Sequence, residues 1–196
     1  SRKDVHKLRR RAQAILVGIK TVLADDPLLT ARPSKGKKST RIVLDNQLRI
    51  PPDCQLLRTA KKSPVMIVTR QHTVEANPRI AEQVRKTGAE LLVCPVTHDR
   101  SNLNFLLDEL SHRGIAHLLV EGGPMVLTSF IKENLADEII VYIAPQILGA
   151  QGGAEITRPM AELAESVGLV HVGVQRFGDN VRLSGLTQKA LHEVSI

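Results

Sequence analysis

Between Thr21 and Arg32 the chain gathers a hydroxyl, two adjacent carboxylates, a proline and a guanidinium: Thr21-Val22-Leu23-Ala24-Asp25-Asp26-Pro27-Leu28-Leu29-Thr30-Ala31-Arg32. A turn needs an Asp and a Pro, but not a Thr, a second Asp and an Arg as well. The block follows Ala14-Ile15-Leu16-Val17-Gly18, an apolar run that reads as a buried strand. Open α/β sheets bind ligands at the carboxyl ends of their strands, so a loop there is a place for chemistry. Asp26, before Pro27, fits a helix N-cap or turn former. That leaves Asp25 as the candidate for moving a proton. Arg32 could clamp a phosphate with two donors or pair with Asp25 or Asp26. A second collection lies about a hundred residues on. His117-Leu118-Leu119-Val120 reads as a strand, ends in Glu121-Gly122-Gly123-Pro124 and passes at once into a helical pattern. A carboxylate leaving a buried strand is costly unless paired, so Glu121 needs ligand hydroxyls or a cation. Gly122 and Gly123 would let backbone approach a diphosphate, with helical N–H groups following; equally, they could make a tight turn without a ligand.

The elements that must hold these groups alternate between strand and helix. A charged helical pattern over Ser1–Arg11, with Ser1 as a possible cap, precedes the strand Ala14–Gly18. Strands follow at Arg41–Asp45, Val65–Thr69 and Glu90–Cys94, with Pro51-Pro52 in an irregular segment. Pro78–Thr87 reads as a helix: Pro stands in its first turn, Ile80 and Val84 lie four apart, and Gly88 stops it. Asn102–Arg113 is an amphipathic helix ended by Gly114. After the strand His117–Val120 and the helix Pro124–Glu133 comes a strand over Glu138–Ala144, then a flexible loop over Gly149–Gly153. Two strand-like runs, Val167–Phe177 and Asn180–Leu186, are joined by a short hairpin link. The order predicts an α/β protein with a mixed, mostly parallel sheet flanked by helices and closed by an antiparallel C-terminal hairpin.

Composition narrows the classes. A chain of 196 residues is most simply one domain at roughly 150 residues per domain. With three Phe, one Tyr and no Trp, the core must be aliphatic. The formal net charge of +7 attracts anions, but stacking aromatics for single-stranded nucleic acid are missing in number, and no basic run longer than the Lys35-Gly36-Lys37-Lys38 loop suggests a duplex-binding tail. Small phosphates fit better than nucleic acid. Two cysteines outside any CxxC spacing and no signal peptide suggest a reducing, cytoplasmic setting without a zinc motif. The seven histidines are scattered, so no metal is expected, and no apolar stretch reaches the ~18 residues of a membrane span.

In chain order, Leu8-Arg9, the Ala14–Val17 run with the Thr21–Arg32 block, Arg41-Ile42-Val43-Leu44-Asp45, Val120-Glu121-Gly122-Gly123-Pro124, and Leu135-Ala136-Asp137-Glu138 through Ala144-Pro145-Gln146-Ile147-Leu148-Gly149 resemble one family. It is the C-terminal reductase domain of the bifunctional riboflavin-biosynthesis deaminase/reductase, which has a dihydrofolate-reductase-like fold. The resemblance implies NADPH-dependent reduction of 5-amino-6-(5-phosphoribosylamino)uracil, whose ribose opens and takes a hydride at C1′. It implies that Thr21 and Asp25 face the nicotinamide and the reacting carbon, with Asp25 the catalytic group. It implies a substrate pocket of Arg9, Leu29, Arg32 and Glu121. It implies a cofactor diphosphate site at Gly123, Pro124, Met125, Val126, Leu127, Thr128 and Ser129, beside Gly122. Asn46 stands where the family uses a Ser to touch the cofactor. Thr69 and Arg70, at the end of the third strand, could grip the 2′-phosphate of NADPH, or could be plain surface. Catalysis of this kind is largely positional, because the cofactor carries the hydride chemistry.

The family often carries an N-terminal zinc deaminase domain, which has no counterpart among these residues, so no deaminase activity is expected; a deaminase could act as a separate or fused partner. The reductase domain of the family also starts with a strand that precedes the region matched here. Without it, the sheet is expected to expose an unpaired edge. A homodimer is the oligomer the resemblance implies. Two other readings stay open: a reductase acting on the 2,5-diamino-6-(5-phosphoribosylamino)pyrimidinone before deamination, and a non-catalytic nucleotide- or RNA-binding fragment.

Overall fold

The structure, a computed structural model, describes residues 2–31, 38–97, 100–146 and 167–190. The expected Ser1 cap, Arg32, the Lys35–Lys37 run and the Gly149–Gly153 loop lie outside the described residues. The chain gathers into two compact units, residues 3–123 and residues 124–196 with the first two.

The larger unit holds helix α1 (Arg2–Arg11, but for its first residue), strand β1 (Ala14–Gly18), α2 (Ile19–Asp25), β2 (Thr40–Leu44), α3 (Gln55–Arg58), β3 (Val65–Thr69), α4 (Gln71–Ala76), α5 (Pro78–Lys86), β4 (Glu90–Val93), the short strands β5 (Val96–Thr97) and β6 (Arg100–Ser101), α6 (Leu103–His112) and β7 (Leu118–Val120). Five strands form one sheet in the order β4-β3-β2-β1-β7, and every pairing in it is parallel. All five residues of β1 and of β3 are buried, as aliphatic runs covered on both faces should be. Ile15, Val17, Val43 and Ile67 meet Leu56 and Leu57 of α3 and Ala81 and Val84 of α5 in a core without an aromatic ring. Each such Val, Leu or Ile side chain contributes about 1.5–3 kcal/mol by leaving water. Among the described residues β7 is hydrogen-bonded to β1 alone, so its other edge has no strand against it.

Three short helices were not predicted. α2 begins where a loop was expected, because Ile19 and Val22 are both buried and one turn of helix places them on the same side. α3 occupies the Pro51-Pro52 segment's far end, and α4 follows β3 directly. Tertiary burial, rather than propensity, sustains helices this short.

The second unit holds α7 (Pro124–Lys132), β8 (Glu138–Ile143), β9 (Leu169–Phe177) and β10 (Asn180–Thr187). Its three strands form an antiparallel sheet in the order β8-β10-β9, so the predicted hairpin forms and pairs with the preceding strand. The parallel and antiparallel strands are hydrogen-bonded as separate sheets. No helix among the described residues is long and apolar enough to cross a membrane.

Candidate active site

Glu121 follows the last residue of β7, and its N–H donates to the carbonyl of Leu16 in β1 at 2.8 Å. This fixes the carboxylate at the carboxyl end of the parallel sheet. Arg9, in the last turn of α1, meets it side-on: Nε donates to Oε1 at 2.8 Å and Nη2 to Oε2 at 2.5 Å. Both side chains are about four-fifths buried, at 18% and 19% exposure, so the pair is held away from bulk screening yet stays reachable. The third guanidinium nitrogen, Nη1, donates to the carbonyl of Thr30 at 3.3 Å. Arg9 thereby ties the Asp25–Thr30 segment to the end of β7.

Thr21 joins the same cluster. Gly122 turns at φ +78, and a β-carbon there would lie 3.5 Å from the Thr21 hydroxyl oxygen. Gly123 follows at φ +82, a second left-handed position that a side chain would strain. The structure therefore brings together Arg9, Thr21, Thr30, Glu121 and Gly122, residues up to 112 positions apart in the chain. Asp25 is the last residue of α2 and is exposed.

Asp26 carries no chemistry here. It sits at φ 39 as the left-handed cap of α2, and its N–H donates to the Val22 carbonyl at 3.0 Å. Its carboxylate accepts from the backbone N–H of Gln55, the first residue of α3, at 2.8 Å, so it caps a helix 29 residues away. Leu29, at φ 49, is only 3% exposed. Its side chain is part of the core. Arg32 lies outside the described residues.

The other predicted cofactor contacts stand at the ends of β2 and β3. Asn46 is half-buried in the turn after β2, its carbonyl accepting from the Thr73 hydroxyl at 2.7 Å. Arg70 is half-buried at the start of α4. Thr69 is fully buried, and its carbonyl accepts from Cys94 N–H at 2.8 Å. The hydroxyl expected at the 2′-phosphate thus stands inside the sheet, next in the chain to the half-buried Arg70. The apolar register of β3 explains it: Val65 through Thr69 are all inside. In the second unit, Pro124 through Ser129 form the first part of α7; Met125 is exposed, and the Ser129 hydroxyl donates back to the Met125 carbonyl at 3.0 Å.

Buried charges were not foreseen, and Arg41 and Asp45 are the most enclosed of them among the described residues. Arg41, in β2, is 1% exposed and gives its guanidinium to the Leu28 carbonyl (3.3 Å), the Thr59 hydroxyl (2.8 Å) and the carbonyls of Thr59 (3.3 Å) and Ser63 (2.5 Å). Burial pulls it down to about 10, with the Cys54 sulfur opposing, so it stays cationic near neutral pH. The signal was present: a lone Arg opening an aliphatic strand must find acceptors. Asp45, at the end of β2, is wholly buried and accepts from the Ile50 N–H at 2.8 Å through Oδ2. Burial raises its carboxyl above the ordinary range, against the pull of the Arg49, Ile50 and Gln47 N–H groups and the Arg49 charge. Burial also pushes the Cys54 thiol up, which suits a packed thiol rather than a nucleophile. Among the described residues no cluster of His, Cys, Asp and Glu could hold a metal ion. A cleft of about 230 Å³ opens at the opposite, amino ends of the strands, lined by Gln13, Lys38, Thr40, Glu90 and Arg113 among others. Its ionic groups are engaged with each other or with backbone, as in the Arg113–Glu90 contact at 2.7 Å.

Residues 1–183 match the family described as RibD C-terminal domain. The chain belongs to that family. Riboflavin biosynthesis protein RibD of Aquifex aeolicus is 41% identical over 151 residues, which cover 76% of this chain and 39% of that protein. The 2,5-diamino-6-ribosylamino-4(3H)-pyrimidinone 5′-phosphate reductase of Methanothermobacter thermautotrophicus is 35% identical over 170 residues, 84% of this chain and 75% of that one. Among solved structures, RibD of Acinetobacter baumannii has a TM-score of 0.80 at 25% identity, covering 95% of this chain and 50% of that chain. The chain spans about two fifths of the length of the first RibD proteins it matches. The family resemblance and the α/β fold class expected from the sequence are both borne out.

Proposed function

We propose that this chain is the riboflavin-pathway reductase that converts the ribose of 5-amino-6-(5-phosphoribosylamino)uracil to the ribitylamino product, with NADPH as reductant. The observation that carries the reading is the Arg9–Glu121 fork at the carboxyl end of the parallel sheet, closed against Thr30 and beside Thr21 and Gly122, in a chain of this family. A guanidinium that already holds a carboxylate with two donors has the geometry to hold a phosphate. A largely buried carboxylate at the same point suits sugar hydroxyls.

The chain fits a dinucleotide. Two consecutive left-handed glycines, Gly122 and Gly123, end β7 without side chains. They would let the diphosphate approach the backbone, with Thr21 toward the nicotinamide and Asn46 and Arg70 toward the remainder. When bound, NADPH supplies the hydride. The protein's own part is to orient the opened sugar through Arg9 and Glu121. Asp25 then handles the proton at the ring oxygen as the ribose opens.

The test mixes the protein with NADPH and the phosphoribosylaminouracil and follows the absorbance of the reduced nicotinamide. Oxidation that depends on the pyrimidine, and a KM about tenfold higher in Glu121→Gln, support the reading. No oxidation with this substrate overturns it. The diaminopyrimidinone run in parallel separates the two reductase activities whose names the relatives bear.

The proposal extends to a homodimer. In the antiparallel sheet Val141, Leu183 and Val174 are opposite one another, and Ile143 lies on the same face. Of these Val141, Ile143 and Val174 are exposed at 38%, 52% and 70%. Exposed aliphatic rows of this kind call for a partner surface, and a second copy offers a matching one. Sedimentation equilibrium reads the mass directly; a monomer at micromolar concentration overturns this part.

A further inference from the structure

The segment that follows Asp25 is held from outside the site. Asp26 and Leu29 both adopt left-handed backbone, at φ 39 and φ 49, although neither is glycine. Such a path persists only where surrounding contacts dictate it. Three contacts do so. Arg41 reaches the Leu28 carbonyl at 3.3 Å, and Arg9 reaches the Thr30 carbonyl at 3.3 Å. Gln55 makes the third, with two donors to the same residue. Its backbone N–H donates to Asp26 Oδ1 at 2.8 Å, and its side-chain Nε2 donates to the Asp26 carbonyl at 2.5 Å. Arg9 belongs to the proposed pocket and Arg41 to the core. Gln55 belongs to neither: it is half-buried at the head of α3.

We infer that Gln55 is a positioning residue for the reductase reaction: by gripping both the carboxylate and the carbonyl of Asp26, it sets where the neighbouring Asp25 carboxylate stands. This rests on the reading of Asp25 given under Proposed function. The grip acts on the residue next to Asp25 in the chain, at the point where α2 ends and the backbone turns left-handed. Loss of the Nε2 bond frees the Asp26 carbonyl and lets that turn relax, while the sheet below keeps its pairing. Binding groups at Arg9 and Glu121 stay in place, so the loss falls on the chemical step rather than on substrate affinity.

Two variants test this. Gln55→Leu removes the side-chain donor and keeps the backbone N–H. Gln55→Glu keeps the length and sets a negative charge beside Asp26. Three readouts apply to each: hydrogen exchange over residues 26–30, kcat and KM, and the kinetic isotope effect with deuterated NADPH. The expected result is faster exchange over 26–30 with β1–β3 unchanged, kcat lower by about tenfold, KM for the pyrimidine within about twofold, and a larger isotope effect. A merely structural role lowers the folded fraction and leaves the isotope effect where it was. Unchanged exchange over 26–30 in both variants overturns the clamp. Faster exchange with unaltered kcat and isotope effect overturns the positioning role. A wild-type protein that oxidises no NADPH overturns the reading of the reaction and the positioning role with it, while hydrogen exchange still judges the clamp alone.

Discussion

At the amino ends of the parallel strands the chain reverses on glycine; at the carboxyl ends Gly122 and Gly123 are joined by three left-handed residues that are not glycine, Asp26, Leu29 and Leu48. Gly88, at φ +89, leads into β4, and Gly114, at φ +73, precedes β7. Both stop a helix in the conformation that glycine adopts without cost. The three non-glycine residues stand at φ 39, 49 and 50, each carrying a β-carbon in a region that costs roughly 1–2 kcal/mol. The amino end also has its polar groups closed on themselves. Gln13 alone accepts from the N–H groups of Ala116 and His117 at 2.8 and 2.9 Å and donates to the Gly114 carbonyl at 3.0 Å. The carboxyl end leaves Asp25 exposed and Glu121 reachable. One end is built for connection at minimum strain, and the other accepts strain to place side chains.

The contrast can be broken at several points. The largest effect is expected at the strained end: Asp25→Asn should lower turnover by about a hundredfold with NADPH affinity kept, read by steady-state kinetics and by nicotinamide fluorescence. Unchanged turnover would remove Asp25 from the mechanism. Next, Arg9→Lys keeps the charge and loses the planar fork, so KM for the phosphorylated substrate should rise about tenfold with kcat less affected. At the relaxed end, Gly114→Ala isolates backbone cost, because nothing lies within 4 Å of an added β-carbon. It should lower stability by roughly 1–2 kcal/mol in denaturant and leave kcat and KM alone. A kinetic defect there would erase the distinction between the two ends.

The smallest effect concerns Asp45. Burial raises its carboxyl in the folded protein above the ordinary 3.8, so the native state holds that proton more tightly than the unfolded chain does. Its contribution is therefore fullest below pH 3.8 and is lost as pH rises through the raised native value. Asp45→Asn should remove that loss. The stability difference between variant and wild type should move in the variant's favour across this window and then stay level, read as Tm against pH. A difference flat in pH would show that Asp45 titrates normally.

Much of the scaffold was legible because aliphatic runs such as Ile15–Val17 and Met66–Val68 have no place but a covered strand. Pro78, Gly88 and Gly114 bound their helices for equally local reasons. α2 was not legible: its seven residues show only Ile19 and Val22 to the core, too few to set a period. The site was half legible. Glu121 advertised a need for a partner, and Arg9 a capacity for an anion, but only the folded sheet shows that they meet across 112 residues. The burial of Thr69 was not legible, since as the last residue of β3, level with the end of β4 at Val93, it reads as surface in the sequence. Gln55 gave no sign at all, since its role depends on a turn elsewhere in the chain.

One further consequence follows from the closed state of the Arg9–Glu121 pair. Under the proposed reading, an entering anion must displace a carboxylate to reach the guanidinium, and an entering polyol must displace a guanidinium to reach the carboxylate. A molecule offering only one of the two leaves the other half of the broken pair stranded in a place that water reaches poorly. Only a compound bearing both functions replaces everything it disrupts. On that proposed reading the resting latch would work as a coincidence detector, discriminating against free phosphate and against unphosphorylated sugars at the binding stage.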